Sequence, residues 1–260
     1  MLIYRMDISL RFAAPTERRV AIVTGGARGI GAATALRLAQ AGRDIVIADV
    51  LDQAAQDVLH QVEALGQRAI YLRTDVTDKT AVEAMVAQTI AHFGRLDILV
   101  CCAGIFGKET PYLDITPEVF DQTLKINVYG VHYCHQAAIP HMLKGGWGRC
   151  VTITSGARLG ATHNTSYGVS KGAVWSLVMA LGNAFPKQGV FVNGVEPGRA
   201  LTEMIIPRFD DAHLANPPGV AIGRYSDANE VAEVIEFLCS ERNTYTTGAV
   251  WSTKGNSGWS

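Results

Sequence analysis

The 260-residue sequence predicts one α/β domain with a doubly wound, mainly parallel sheet and helices on both faces. Three observations predict it. Strand-length apolar runs alternate with helix-length amphipathic segments from residue 20 to residue 253. The runs are apolar throughout, as strands buried on both faces require. No linker, repeat or low-complexity stretch divides the series, and the length suits one large core.

Val20–Val23 reads as the first strand and Gly29–Ala41 as the helix that returns from it. Asp44–Ala48 and Asp52–Leu65 repeat the unit, followed by strand Arg68–Leu72, helix Ala81–Phe93 and strand Asp97–Cys102. Pro117–Met142 reads as one long helix, Arg149–Thr154 as a strand, Ser166–Phe185 as a helix and Val190–Val195 as a strand. The helix Asp227–Ser240 opens on Asp227 with Glu230 three residues later, a capping-box pattern. Ala249–Thr253 supplies the last strand. Right-handed crossovers between parallel strands then place helices on both faces.

Composition excludes several classes. Lys+Arg 23 against Asp+Glu 24, with no basic run, leaves no electrostatic footprint for nucleic acid or an acidic membrane surface. No apolar stretch approaches the roughly 20 residues that span a bilayer. The opening MLIYRMDISLRF is broken by Arg5, Asp7 and Arg11 and lacks the apolar centre of a signal peptide. Residues 1–18 are expected to form an extension before a domain at 19–260. Cys101, Cys102, Cys134, Cys150 and Cys239 are odd in number and lack paired spacing, so a reduced, cytoplasmic chain is expected. Cys101 and Cys102, adjacent in a strand, belong on opposite faces. His132 and His135 share a helix face and His141 follows, but no acidic or cysteine partner has ligand spacing, so no metal is expected.

Two motifs carry chemistry. Thr24-Gly25-Gly26-Ala27-Arg28-Gly29-Ile30-Gly31 stands where the first strand runs into the first helix. Glycines there let the backbone turn sharply and approach a diphosphate, whose charge a helix N-terminus favours. Tyr167-Gly168-Val169-Ser170-Lys171 puts Tyr167 and Lys171 one turn apart on one helix face.

With TGxxxGxG rather than GxGxxG spacing, the sequence resembles the short-chain dehydrogenase/reductase family from about residue 19 to about residue 253. The resemblance implies a Rossmann-type fold, a homotetramer, a nicotinamide cofactor and interconversion of a secondary alcohol and a ketone. It assigns cofactor contacts to Gly25, Arg28, Gly29, Ile30 and Gly31, to Asp49 ending the second strand, and to Asp75 and Val76 beside the adenine. Further contacts fall on Cys102, Ala103 and Gly104, on Tyr167 and Lys171, and on Pro197, Gly198, Ala200 and Thr202. Residues 199–225 correspond to a lid over the substrate; its Met204, Ile205, Ile206 and Phe209 read either as an apolar wall or as one side of an amphipathic surface helix. Arg158 and His163, on the loop after Ser155, are candidates to face that substrate.

Asn127, Ser155, Tyr167 and Lys171 match the family's catalytic residues. Free tyrosine, with a pKa of ~10, is a poor base near neutrality. Lys171 and an oxidised nicotinamide are expected to lower it, at roughly 3–4 kcal/mol of differential interaction for about two to three units. Tyr167 then takes the hydroxyl proton while hydride passes to the nicotinamide. Ser155 holds the substrate oxygen, and Asn127 positions a water leading to the lysine. The sequence departs from the family at Cys101-Cys102, where two asparagines are usual, and at Lys254, where an aspartate is usual. The gap from Ser155 to Tyr167 is one residue short, leaving Thr154 as a competitor.

Asp49 favours NAD, because a carboxylate accepts from both ribose hydroxyls and repels a 2′-phosphate. Arg28 opposes it, since a basic residue there accompanies NADP in part of the family. An NADPH-dependent ketoreductase of the 3-oxoacyl type is the alternative. A silent dinucleotide-binding protein is a third reading, against which the four catalytic residues together argue.

Overall fold

The protein is described by a computed structural model over residues 18–256. Apart from Arg18, the extension expected over residues 1–18 lies outside the described residues, as do residues 257–260. Strands β1 (Val20–Thr24), β2 (Asp44–Asp49), β3 (Ala69–Arg73), β4 (Ile98–Cys101), β5 (Gly148–Ile153), β6 (Val190–Pro197) and β7 (Val250–Thr253) form a single sheet. Its order is β3-β2-β1-β4-β5-β6-β7 and every pairing is parallel. Winding reverses between β1 and β4, so a crevice opens at their carboxyl ends, where doubly wound sheets bind ligands.

Helices α1 (Gly29–Gln40), α2 (Asp52–Ala64) and α8 (Ala228–Cys239) cover one face, packing Leu38, Val58 and Ile235 onto Ile45, Ile98 and Val195. Helices α3 (Lys79–Phe93), α4 (Pro117–Leu124), α5 (Gly130–Gly145) and α6 (Thr165–Ala184) follow the other face, where Met85, Val131 and Val174 meet Val20, Leu99 and Val192. A short α7 (Asp211–Ala215) lies in the 199–225 segment. Cys101 packs into the second layer and Cys102 against the first, as alternation along a strand requires. All five cysteines are free. Asp227 and Glu230 form the expected capping box.

Two expectations require correction. The single helix over Pro117–Met142 is interrupted by a π-helical turn at Lys125–Tyr129, whose extra residue the 3.6-residue period does not reveal. His132 and His135 do not share an environment: His132 is exposed, whereas His135 is buried. His135 donates from Nδ1 to the Val131 carbonyl at 2.9 Å and presents Nε2 to the Thr152 hydroxyl at 3.5 Å. Burial lowers its pKa to about 4. Other boundaries move by one or two residues.

Candidate active site

Beyond β1 the chain turns through Gly25, at φ +64°, directly beside the end of β4. A Cβ at Gly25 would lie 2.6 Å from the Ala103 nitrogen, and one at Gly31 would lie 1.9 Å from the Gly25 carbonyl oxygen. Only glycine lets loop, helix and neighbouring strand close this tightly. Arg28, exposed and extended, precedes α1 without capping it through its side chain.

Asp49 at the end of β2 fixes this loop. Its Oδ2 accepts from Ala27 N at 3.0 Å, and its Oδ1 from Val50 N at 2.7 Å and Leu51 N at 3.2 Å. The carboxylate therefore braces the glycine loop as well as the start of α2. Asp75 is exposed and accepts from the Thr77 backbone and hydroxyl, while Val76 is buried against Gly130.

On the far side of the crevice, Thr202 approaches the glycine loop. A Cβ at Gly29 would lie 3.3 Å from the Thr202 methyl and 3.4 Å from a Glu203 carboxylate oxygen. Gly198 closes on Lys254, leaving 2.7 Å between a Cβ there and the Lys254 Cα. Ala200 bridges to Ser226, and Pro197 ends β6. The motifs after β1, β4 and β6 thus converge, although 177 residues separate Gly25 from Thr202 in sequence.

The π turn sets Asn127 inward and fully buried. Its Oδ1 accepts from Ile105 N and its Nδ2 donates to the Ile105 carbonyl, both at 2.9 Å, and to Ser170 Oγ at 3.0 Å. Asn127 therefore clamps the backbone after β4 to α6. A Cβ at Gly104 would point to within 3.1 Å of Asn127 Oδ1 and 3.9 Å of Lys171 Nζ, so both groups face one spot. Lys171 Nζ donates to the Ile153 carbonyl at 2.8 Å, and burial brings its pKa down to about 8.

Ser155 follows β5, accepts from Ala157 N at 3.2 Å and lies near enough to the Tyr167 phenol to act on its pKa. Thr154 instead donates to the Val195 carbonyl at 3.0 Å and is buried. Burial holds the Tyr167 pKa above the ordinary phenol value, with the Ser155 hydroxyl and the Arg208 charge acting downward. The Lys171 ammonium lies 5.6 Å from the Tyr167 ring centroid while donating to the Ile153 carbonyl. The thiol of Cys102 is pushed up to about 12 by burial and stays neutral.

Arg158, on the loop after Ser155, is held by two partners. It pairs with buried Glu196 at 2.9 Å and lies over the Trp175 ring. Lys254 pairs with the same carboxylate at 3.3 Å, so this departure from the family pattern has an electrostatic partner in β6. His163 is exposed. Of the apolar wall, Met204 and Ile206 are exposed, and Phe209 stacks on His213 at 4.2 Å within the lid segment.

Sequence reasoning missed Phe106, Asn164 and Arg208. Phe106 packs on Tyr167 with centroids 4.8 Å apart, and Arg208 lies over Phe106 at 3.8 Å. Asn164 caps α6 through Tyr167 N and donates to the Phe106 carbonyl. Asn164 was legible as an N-cap residue type just before the motif helix. Phe106 and Arg208 stand in irregular segments where no period marks them.

Known proteins share this architecture. The short-chain dehydrogenase model described as "Enoyl-(Acyl carrier protein) reductase" matches residues 25–255. The chain is 37% identical over 239 residues to cis-4-hydroxycyclohexanecarboxylate dehydrogenase of Sinomonas cyclohexanicum, covering 91% of this chain and 95% of that one. It is 34% identical to cyclohexanol dehydrogenase of a Rhodococcus strain, covering 93% and 96%. A solved 7α-hydroxysteroid dehydrogenase, complexed with NADH and 7-oxo glycochenodeoxycholic acid, superposes with a TM-score of 0.87 at 30% identity, covering 92% and 94%. The converging glycine loop, serine strand and tyrosine–lysine helix, carried on this sheet, make the chain a member of the short-chain dehydrogenase/reductase family, acting on CH–OH groups.

Proposed function

We propose that the protein is an NAD-dependent dehydrogenase of secondary alcohols, ring alcohols among them. The observation carrying this reading is that Asn127 and Lys171 face one spot kept open by Gly104, while Lys171 is tied to Ile153 at the end of β5, two residues before Ser155, and shares helix α6 with Tyr167. The cradle fits a dinucleotide, because the close approaches at Gly25 and Gly31 leave main chain at its floor. Gly25, Arg28, Gly29, Ile30 and Gly31 would hold the diphosphate side, Asp49 the ribose, and Asp75 and Val76 the adenine. Cys102, Ala103, Gly104, Pro197, Gly198, Ala200 and Thr202 would line the nicotinamide half. When bound, the nicotinamide supplies the hydride chemistry.

The chain's own groups manage the proton. Ser155 orients the substrate oxygen toward the Tyr167 phenol. Tyr167 transfers the proton at its hydroxyl oxygen, and Lys171, fixed on Ile153, lends positive charge behind it. Closure of the 199–225 segment excludes water. For NAD, Asp49 presents a carboxylate at the ribose, and Arg73 opposite it is already engaged by Asp52 at 2.6 Å and the Val50 carbonyl at 2.7 Å. A second reading, an NADPH-dependent ketoreductase, draws on exposed Arg28 and on a Tyr167 held protonated, the form that donates to a forming alkoxide.

Exposed Tyr129, Val169 and Trp175 on the α5 and α6 side suit the subunit contacts of a homotetramer, although Leu177 packs against the core. No helix among the described residues is long and apolar enough to cross a membrane, which fits a cytoplasmic enzyme. The deciding experiment measures initial rates with cyclohexanol and related ring alcohols, using NAD and NADP separately, in wild type and Tyr167→Phe. NAD-linked oxidation lost in the variant is expected. Equal rates in both proteins would refute the assignment.

A further inference from the structure

The 199–225 segment sets a cation beside the catalytic tyrosine. Arg208 ends the short 3₁₀ turn Ile206–Arg208, and its guanidinium lies 3.8 Å from the centroid of Phe106, whose ring packs on Tyr167 at 4.8 Å. Nε donates to the Met204 carbonyl at 2.9 Å, so the fork is oriented from within its own segment. Nη1 pairs with Glu109 at 2.8 Å. The two partners are unequal: the Arg208 side chain is 26% exposed and that of Glu109 58%. Such a pair, half in solvent, is readily exchanged for another carboxylate. The Arg208 charge is also felt at the Tyr167 phenol, which places it within electrostatic reach of the reacting group.

We propose that Arg208 is a specificity-determining residue that binds a carboxylate on the substrate, displacing Glu109, so that the preferred substrates are hydroxy acids or the matching oxo acids. A guanidinium fork fits a carboxylate through two parallel hydrogen bonds, which a neutral substrate cannot make. Arg208 lies over Phe106, which packs on Tyr167, so a carboxylate held by its fork sits near the reacting tyrosine. This inference rests on the dehydrogenase reading above.

The test compares 4-hydroxycyclohexanecarboxylate with its methyl ester, two alcohols that differ in one charge. In wild type, kcat/KM is expected to favour the acid at least tenfold. In Arg208→Gln the acid should lose at least tenfold more kcat/KM than the ester, mainly through KM, and Arg208→Lys should recover part of the loss. Glu109→Gln, which removes the competing carboxylate, should lower KM for the acid severalfold. Equal losses for acid and ester, or no preference in wild type, would overturn the role of Arg208 and leave the dehydrogenase reading standing. Failure of wild type to oxidise either alcohol with either cofactor would overturn both.

Discussion

The ammonium of Lys171 donates to the main-chain carbonyl of Ile153 at 2.8 Å, tying the tyrosine–lysine helix to the strand that ends at Ser155. That bond satisfies a charge buried in the crevice, and burial still draws its pKa to about 8. The folded chain thus binds this proton less tightly than the unfolded chain, whose lysine keeps its ordinary value. Its destabilising contribution is full below about pH 8 and fades as pH rises toward the unfolded value. Lys171→Met should therefore stabilise the cofactor-free protein at pH 7 by about 1–2 kcal/mol, while turnover falls by about 10²-fold or more. Thermal melts beside steady-state rates check both; a lower melting temperature would contradict the argument.

Tyr167→Phe keeps the ring against Phe106 and removes only the hydroxyl. Folding and cofactor affinity should be nearly unchanged, and kcat should drop by about 10²–10⁴-fold. Ser155→Ala should lower kcat through the same oxygen. Fluorescence titration with NADH separates binding from chemistry.

Asp49 has two expected roles, and its variants should show both. Asp49→Ala strips an acceptor from Ala27, Val50 and Leu51, with an expected loss of about 1–2 kcal/mol in stability. It should also raise KM for NAD and shift the kcat/KM ratio toward NADP, because Arg28 then acts unopposed. Asp49→Ser should retain part of the capping and show the cofactor shift with less destabilisation. A wild type that already prefers NADP would reverse the reading of Asp49.

His135 supplies an acid sensitivity unconnected with catalysis. It is buried as a neutral ring, with its pKa held to about 4 by burial. Below the ordinary histidine value of about 6.5 the unfolded chain takes up a proton that the folded chain refuses. Stability should thus fall as pH drops from about 6.5 toward 4, by about 2–3 kcal/mol from this group, and level off below. Urea unfolding of wild type and His135→Leu across that range isolates the term. Parallel pH dependences in the two proteins would show that His135 does not supply it.

The sequence by itself determined the layered fold and the identity of the four residues matched to catalysis. A parallel sheet covered on both faces demands unbroken apolar strands such as Val20–Thr24, and a tight turn beside a neighbouring strand demands glycine at 25 and 31. Those demands are local and leave local marks. Tertiary structure alone decided the rest. Arg158 turned out to serve Glu196 together with Lys254, three residues that no short-range period links. Asn127 reached Ile105 and Ser170 only because a π turn rotated it inward. Arg208 met Phe106, and through it Tyr167, across 102 positions of chain. Backbone propensity is written in neighbouring residues, whereas the partner of a charge and the burial that moves a pKa are set by which distant segments the finished fold packs together.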